Sequence, residues 1–271
     1  MGYTIRHMST KKERVKRLLG ATSRIVPAGA WEKLEYAGAY FAGKGSGSSS
    51  VKEEVAASFK FIKGDGLILF DIGANKGDWT QEALRVAGDR IKTIYQFEPS
   101  SHNIHLLKDM FGTDGRVQLV PCAASDKKGT AELFSDEPGS GMASLHKRKL
   151  DHFHIDLKEA GSVETVTVDE IVKKHGVARV DFMKMDIEGH ELAALRGAAV
   201  SLKNGVIRAL SFEFGGANID SRTYFQDFWY FLTPLGYTLF RVLPTGSVVR
   251  IKEYKEMLEN FRTTNYIAVR G

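Results

Sequence analysis

The stretch 67–77, with the sequence LILFDIGANKG, constrains the fold of this chain more than any other. Its apolar run, Leu67 to Phe70, has the composition and length expected for a buried parallel strand. Asp71 ends the run, a turn rich in small residues follows, and a helix is predicted to begin at Asp78. A strand, a glycine turn and a helix in this order place backbone N–H groups against an anionic ligand group.

The turn has the spacing D-x-G-x-x-x-G, formed by Asp71, Gly73 and Gly77, with Ala74 and Asn75 between the glycines. It differs from the G-x-G-x-x-G fingerprint of dinucleotide sites. An acid that leads into such a turn resembles the S-adenosylmethionine (SAM) sites of class I methyltransferases. We therefore predict that these five residues contact a cofactor. The alternative is an ordinary turn whose glycines only permit close packing of helix and strand.

Composition and cysteine content set the class of protein. The 271 residues are 43% hydrophobic and 26% charged, which is typical of a soluble globular chain. A single cysteine, Cys122, excludes an internal disulfide and a cysteine-rich zinc site. No apolar run is long enough for a membrane span, and no signal peptide is recognisable. These features predict a cytoplasmic protein.

The N-terminal part, residues 1–62, is predicted to be a helical extension. Residues 1–7 are interpreted as a vector-derived leader. Helical periodicity over 9–42 is followed by a flexible Gly/Ser loop at 43–50 and another helix at 51–62. The net charge of +5 is partly local to this extension. We interpret its basic residues as a solvated helix face, with nucleic acid or a membrane surface as the less favoured partner.

Residues 63–271 predict one α/β domain. Apolar strands alternate with helices as far as residue 126, and the alternation resumes after an insertion at about 127–168. The pattern indicates a Rossmann-like, doubly wound, mostly parallel sheet of about seven strands. The insertion is expected at the carboxyl edge of this sheet, where open α/β folds bind ligands.

Glu98, followed by Pro99, ends the second strand. An acid at this point accepts both ribose hydroxyls of an adenosine-containing ligand, although it also suits a helix N-terminus. Ala124, Ser125 and Asp126 end the third strand, where the adenine is expected. The small residue there leaves room for the ring, and Asp126 is a candidate partner for its amino group. We predict all five residues as cofactor contacts.

Ionisable residues are dense at the end of the fourth strand, where Lys184, Asp186, Glu188 and His190 lie within seven positions. Asp186 is expected to face the methionine moiety or the acceptor, and Lys184 to pair with it or to hold a hydroxyl group. Helix capping and pairing among these charges are the structural alternatives. Glu213 ends the fifth strand between two phenylalanines, a setting that suits a general base. The spacing alone does not define a metal site, and we predict none.

Several motifs together resemble the FkbM family of SAM-dependent methyltransferases over about residues 67–270. The motifs are FDIGANKGDWT, YQFEPS, AASDKKGTAELF, VETVTVDEIV, KMDIEGHELAALRGA and NYIAV. The resemblance implies a class I fold and methylation of hydroxyl oxygens on polyketides, sugars or other specialised molecules. It also implies cofactor contacts at Asp71, Gly73, Gly77 and Glu98, with Asp186 and Glu188 at the edge of the active site.

The expected activity is therefore that of a SAM-dependent O-methyltransferase with a small-molecule or sugar acceptor. Its catalytic candidates are Asp186, Glu188, His190, Glu213 and Lys184. A non-catalytic adenosine-ligand scaffold is the first alternative. A nucleic-acid methyltransferase is disfavoured, because DIEG stands where such enzymes carry an aromatic N/D-P-P-Y turn. A homo-oligomer is compatible with the sequence.

Overall fold

The computed structural model describes residues 11, 13, 15–16, 20, 27–47 and 50–271. Contacts divide the chain into two compact units, 1–42 and 43–271. The predicted leader at 1–7 and most of the predicted helical stretch before residue 27 lie outside the described residues. In the first unit, helix α1 (Ala28–Phe41) begins directly after Pro27 and buries none of its residues.

The division at residue 42 differs from the boundary at residue 62 expected from the sequence, because helix α2 (Val51–Phe59) is part of the second unit. Its Val55 and Ala57 are fully buried in an apolar cluster with residues of the first strand. The described part of the predicted flexible loop is also held in place. There the Gly47 N–H donates to the Thr263 carbonyl oxygen at 2.8 Å.

The main sheet confirms the predicted α/β fold and contains an eighth, short strand, β10. Its spatial order is β10-β9-β11-β8-β7-β1-β2-β3. Strands β3, β2, β1, β7 and β8 are parallel, and β11, β9 and β10 are antiparallel to their neighbours. The strands are β1 (Leu67–Ile72), β2 (Ile91–Phe97), β3 (Val117–Val120), β7 (Phe182–Met185), β8 (Ala209–Phe214), β9 (Tyr237–Val242), β10 (Val248–Arg250) and β11 (Thr264–Arg270).

Helices connect these strands, as the alternation in the sequence predicts. They are α3 (Asp78–Ala87), α4 (Ser101–Phe111), α5 (Val168–Lys174), α6 (Glu191–Arg196), α7 (Ala199–Lys203), α8 (Ala217–Ser221) and α9 (Phe225–Leu232). Helix α5 begins with a full capping box between Thr167 and Glu170. In the part of the chain that the structure describes, no helix has the length and apolar character needed to cross a membrane.

Two strands of the insertion and the short strand β4, which carries the Ala124 expected at the end of the third strand, form a second, three-stranded sheet with the order β4-β6-β5. Its strands are β4 (Ala123–Ala124), β5 (Gly129–Ser135) and β6 (Lys158–Val166). Strand β6 is nine residues long and pairs along the whole length of β5. The sheet lies at the carboxyl ends of the parallel strands, since β4 follows β3 directly and its residues line the cleft described below.

Phenylalanine side chains fix the position of helix α9 on strand β8. The ring of Phe212 stacks on that of Phe228 with centroids 4.6 Å apart and an interplanar angle of 2°. The ring of Tyr266, on the neighbouring strand β11, stacks on Phe212 as well. Aromatic pairs in this geometry contribute about 0.5–1.5 kcal/mol beyond their burial. These aromatic contacts therefore hold α9 on the strand that carries Glu213.

We expect Phe212→Ala to lower the free energy of unfolding by about 3–5 kcal/mol, because it leaves a cavity in a tightly packed aromatic cluster. Denaturant unfolding followed by circular dichroism measures the change. The matched control is Phe153→Ala, whose side chain is 64% exposed, and which should change the unfolding free energy by less than about 0.5 kcal/mol. Equal effects of the two variants would contradict this account of the core.

Candidate active site

A cleft of about 270 Å³ lies at the carboxyl ends of β1, β2 and β7. The β1–α3 turn, the end of β2, the insertion and the end of β7 each supply part of its wall. Of the predicted site residues, the cleft brings together Gly73, Ala74, Asn75, Glu98, Pro99, Ala124, Lys184, Asp186 and His190. Asp71, Gly77, Ser125, Asp126, Glu188 and Glu213 do not line this cleft, and their predicted roles stay predictions.

The turn after β1 is hydrogen-bonded to the end of β2. The N–H groups of Gly73 and Ala74 both donate to the Phe97 carbonyl oxygen at 3.0 Å. Gly73 has a φ of +79°, and a Cβ atom there would lie 2.0 Å from the Asp186 carbonyl oxygen. Gly77, with a φ of +88°, packs against the ring of Phe111 instead of facing the cleft. Both glycines are therefore required by conformation and by close packing.

Glu98 is buried on the cleft wall, and backbone N–H groups orient its carboxylate. Oε2 accepts from the Asn75 N–H at 2.8 Å, and Oε1 accepts from the Ser100 N–H at 2.9 Å. Burial raises the pKa of Glu98 above its usual value, and these hydrogen bonds oppose the rise. The Asn103 side chain is a third hydrogen-bonding neighbour, which leaves at least one of the four lone pairs of the carboxylate to accept from a ligand.

Asp71 lies beneath the turn, fully buried, and not on the cleft wall. Its Oδ2 accepts from the Thr80 hydroxyl at 2.7 Å, and its Oδ1 lies 3.3 Å from the Lys184 ammonium. Lys184 also donates to the Gly73 carbonyl oxygen at 2.7 Å. Burial by itself lowers the pKa of Lys184, but the carboxylates of Asp71 and Asp186 raise it above its usual value. These contacts give Asp71 and Lys184 a structural role in holding the turn.

Ser125 and His190 form a hydrogen-bonded group beside the adenine position expected from the sequence. The Ser125 Oγ lies 2.9 Å from His190 Nε2, and His190 Nδ1 lies 3.2 Å from His146 Nε2. Burial and the neighbouring His146 lower the pKa of His190 to about 4. His190 is therefore neutral near pH 7, with both ring nitrogens engaged. Asp126 is exposed, and its Oδ1 accepts from the Ser125 hydroxyl at 3.3 Å.

Three acidic groups meet at the ends of β7 and β8. Carboxylate oxygens of Asp186, Glu188 and Glu213 all lie within 4.8 Å of one another. Burial is the main cause that raises the pKa of Glu188 to about 7 and that of Glu213 well above its usual value, and the nearby carboxylates raise both further. Arg148 from the insertion forms an ion pair with Glu188. We call Asp186, Glu188 and Glu213 the acidic cluster; carboxylates so arranged are able to hold a divalent cation.

Sequence reasoning missed three charged residues at this site. Arg148 lies in the insertion, which offers no periodic signal. Glu191 uses Oε1 to accept from the N–H groups of Ile187 and Gly189, so it shapes the loop after β7. Glu54 of α2 lines the cleft. A signal for Glu54 existed, because it falls on the same helix face as the buried Val55 and Ser58.

Two buried polar atoms on the cleft wall have no hydrogen-bond partner among the described residues: the Trp79 indole Nε1 and the Asn103 Oδ1. Trp79 is 3% exposed and Asn103 is 1% exposed. Buried donors and acceptors are almost always satisfied. Each atom therefore keeps a hydrogen-bonding capacity that no described residue uses.

Comparison with known proteins agrees with the motifs. The family model described as methyltransferase FkbM domain matches residues 71–239. A search among curated proteins finds no significant match.

Similar solved structures include the methyltransferase FkbM of Methylobacillus flagellatus, with 17% identity and a TM-score of 0.47 over 75% of this chain and 44% of that one. They also include an rRNA methylase of Streptococcus thermophilus, with 11% identity and a TM-score of 0.41 over 80% and 93% of the two chains. A third is Aeropyrum pernix fibrillarin with bound SAM, with 14% identity and a TM-score of 0.41 over 80% and 74%. The chain spans less than half the length of the M. flagellatus protein.

We expect Gly73→Ala to lower the free energy of unfolding by about 2–6 kcal/mol, because strain at positive φ adds to a collision with the backbone of Asp186. Gly64→Ala is the matched control. Gly64 has a φ of +82°, but a Cβ atom there meets nothing within 4 Å, so only about 1–2 kcal/mol of strain is expected. Denaturant unfolding compares the two variants. Equal losses would show that the close approach to β7 is unimportant.

Proposed function

Because the chain belongs to the methyltransferase FkbM domain family, we propose that it transfers a methyl group from SAM to a hydroxyl oxygen of a small molecule or sugar. The observation that carries the proposal is the Glu98 carboxylate, oriented by two backbone N–H groups at the end of β2 and still able to accept from a ligand. A carboxylate there binds the two ribose hydroxyls of an adenosine group.

The unpaired atoms of the cleft fit such a ligand. Asn103 Oδ1 lies near Glu98, since Asn103 is a hydrogen-bonding neighbour of that carboxyl group, and it is a ready acceptor for a ribose or adenine donor. Ala123 and Ala124 line the neighbouring part of the cleft wall, and their small side chains leave space for a flat ring. In this arrangement Ser125 acts by holding His190, and the sheet of the insertion covers the adenine side.

The acceptor is proposed to bind at the acidic cluster, beyond Asp186. When bound, SAM supplies a methyl group on a positively charged sulfur. The chain orients the acceptor oxygen toward that carbon and excludes water. As the new C–O bond forms, the C–S bond breaks, its electron pair stays on sulfur, and the hydroxyl proton passes to a carboxylate. The products are the methyl ether and S-adenosylhomocysteine (SAH).

Glu213 is the proposed general base. Arg148 engages Glu188, and both ring nitrogens of His190 are engaged. Lys184 is committed to the turn. The raised pKa of Glu213, caused by burial and the nearby carboxylates, brings it closer to the pH at which a base works best. Asp186 both lines the cleft and belongs to the acidic cluster, so it can orient the acceptor.

Charge favours a neutral acceptor over nucleic acid. Asp186, Glu188 and Glu213 place three carboxyl groups on the acceptor side, and the nearest arginine, Arg148, is already paired with Glu188. Phosphate groups would be repelled there, whereas nucleic-acid sites depend on free cations. The cytoplasmic location, the sugar or small-molecule acceptor and a homo-oligomeric state remain predictions from the sequence.

Calorimetric titration with SAH tests the cofactor site. We expect Glu98→Gln to weaken SAH binding about 10- to 100-fold, because it removes charge-assisted hydrogen bonds to the ribose. Glu256→Gln, an exposed substitution outside the cleft, is the matched control and should bind as the wild type does. If the wild-type chain binds no SAH, the proposed function fails. If both variants bind equally well, Glu98 has no role in binding.

Transfer of a radiolabelled methyl group to a panel of hydroxylated acceptors tests the chemistry. With an acceptor found, we expect Glu213→Gln to lower kcat by about 10²–10⁴-fold and to leave SAH affinity unchanged. The wild-type rate should rise with pH through the raised pKa of Glu213, because only the deprotonated carboxylate accepts the proton. A variant with full kcat would assign the base to another residue. Binding of SAH without transfer to any acceptor would favour a non-catalytic scaffold.

A further inference from the structure

Helix α2 brings an acidic residue to the cleft from outside the region that the family model matches. Ser50 caps the helix by accepting from the Glu53 N–H, and Val55 and Ala57 anchor it in the buried apolar cluster that includes β1. Glu54 is in the first turn of this helix, and both Val51 and Glu54 line the cleft. The anchored helix therefore holds Glu54 in a defined position on the cleft wall.

Helix α2 lies on the β7 side of the cleft, because Glu53 lies against Gly246 in the turn between β9 and β10, and these strands are on that side of β1. Burial raises the pKa of Glu54 to about 7, and the charges that modify this value are those of Lys184, Asp186 and Asp71, on β1 and at the end of β7. Glu98 lies on the other side of β1, at the end of β2. A ligand that has its ribose at Glu98 and its adenine toward β4 therefore has its remaining end near Glu54.

Glu54 has no counter-ion of its own. Among the described residues, no hydrogen bond or ion pair involves its carboxylate; Lys184, whose charge acts on it, is bound to Gly73 and paired with Asp71. A carboxylate in a partly buried cleft without a cationic partner is costly. A cationic ligand group would remove that cost.

A second unpaired group lies in the same region. Trp79, in the first turn of α3, lines the cleft and belongs to the same buried apolar cluster as Val55 of α2. Its indole N–H is a buried donor without a partner. The acceptor on α2 suits the ammonium group of an α-amino acid. The donor on α3 suits its carboxylate.

We propose that Glu54 binds the α-ammonium group of the methionine moiety of SAM, with the Trp79 indole N–H available to its carboxylate. This inference rests on the proposed function and deepens it. It assigns the N-terminal helix a direct part in cofactor binding, so the family-matched region alone is an incomplete cofactor site. It also separates the carboxylate of Glu54, which faces the cofactor, from the acidic cluster, which faces the acceptor.

Calorimetry with ligands that differ only at the amino-acid end tests the assignment. The three ligands are SAH, the analogue of SAH that lacks the α-amino group, and 5′-methylthioadenosine, which lacks the whole amino-acid end. They are titrated into the wild-type chain, Glu54→Gln and Glu53→Gln. Glu53→Gln is the matched control, because it removes the same charge from the same helical turn at a residue that does not line the cleft.

We expect Glu54→Gln to weaken SAH binding about 10- to 100-fold and to leave the affinities for the other two ligands unchanged, with Glu53→Gln like the wild type throughout. An equal loss for all three ligands would overturn the proposal, because it would mean that Glu54 only supports the fold of the cleft. Unchanged SAH binding in Glu54→Gln would also overturn it, while leaving the proposed function intact. Failure of the wild-type chain to bind SAH would overturn both.

Discussion

The contacts of the Lys184 ammonium hold the cleft together. This group is nearly inaccessible to solvent, donates to the Gly73 carbonyl oxygen and pairs with Asp71. It thereby ties β7 to β1 and to the glycine turn, and it lies 3.8 Å from the Asp186 carboxylate. Breaking a buried pair leaves an uncompensated charge, which is strongly unfavourable. The positions of the glycine turn, of Asp186 and of the cleft floor therefore depend on the Lys184 ammonium group.

Around that cation, the site is divided by charge. In the proposed function, the Glu98 carboxylate binds the ribose, that of Glu54 binds the opposite end of the cofactor, and the acidic cluster binds the acceptor. Two of the basic residues near them are committed, Lys184 to the turn and Arg148 to Glu188. A cationic cofactor and a neutral acceptor suit this surplus of negative charge. SAM, with its sulfonium and ammonium groups, has the required charge.

Much of this arrangement was predictable, because strand ends in a parallel sheet converge at one edge. Three local signals mark that edge: the apolar run that ends at Asp71, the acidic residue Glu98, and the dense charges between Lys184 and His190. Long-range contacts were not predictable. Asp71 is the expected acidic residue, but it is buried and paired with Lys184. No local sequence pattern encodes this pairing between two strands. Glu54 reaches the cleft only because α2 packs beside β1, and Arg148 because the insertion folds back over β7.

The central claim, that the cleft over β1, β2 and β7 is a SAM site, is tested most directly by a crystal structure of the chain with SAH. The account predicts ribose hydroxyls within hydrogen-bond distance of the Glu98 carboxylate, the adenine beside Ala124, and the amino-acid end beside Asp186 and Glu54. SAH bound outside this cleft, or bound in it with the adenine at Asp186, would contradict the account.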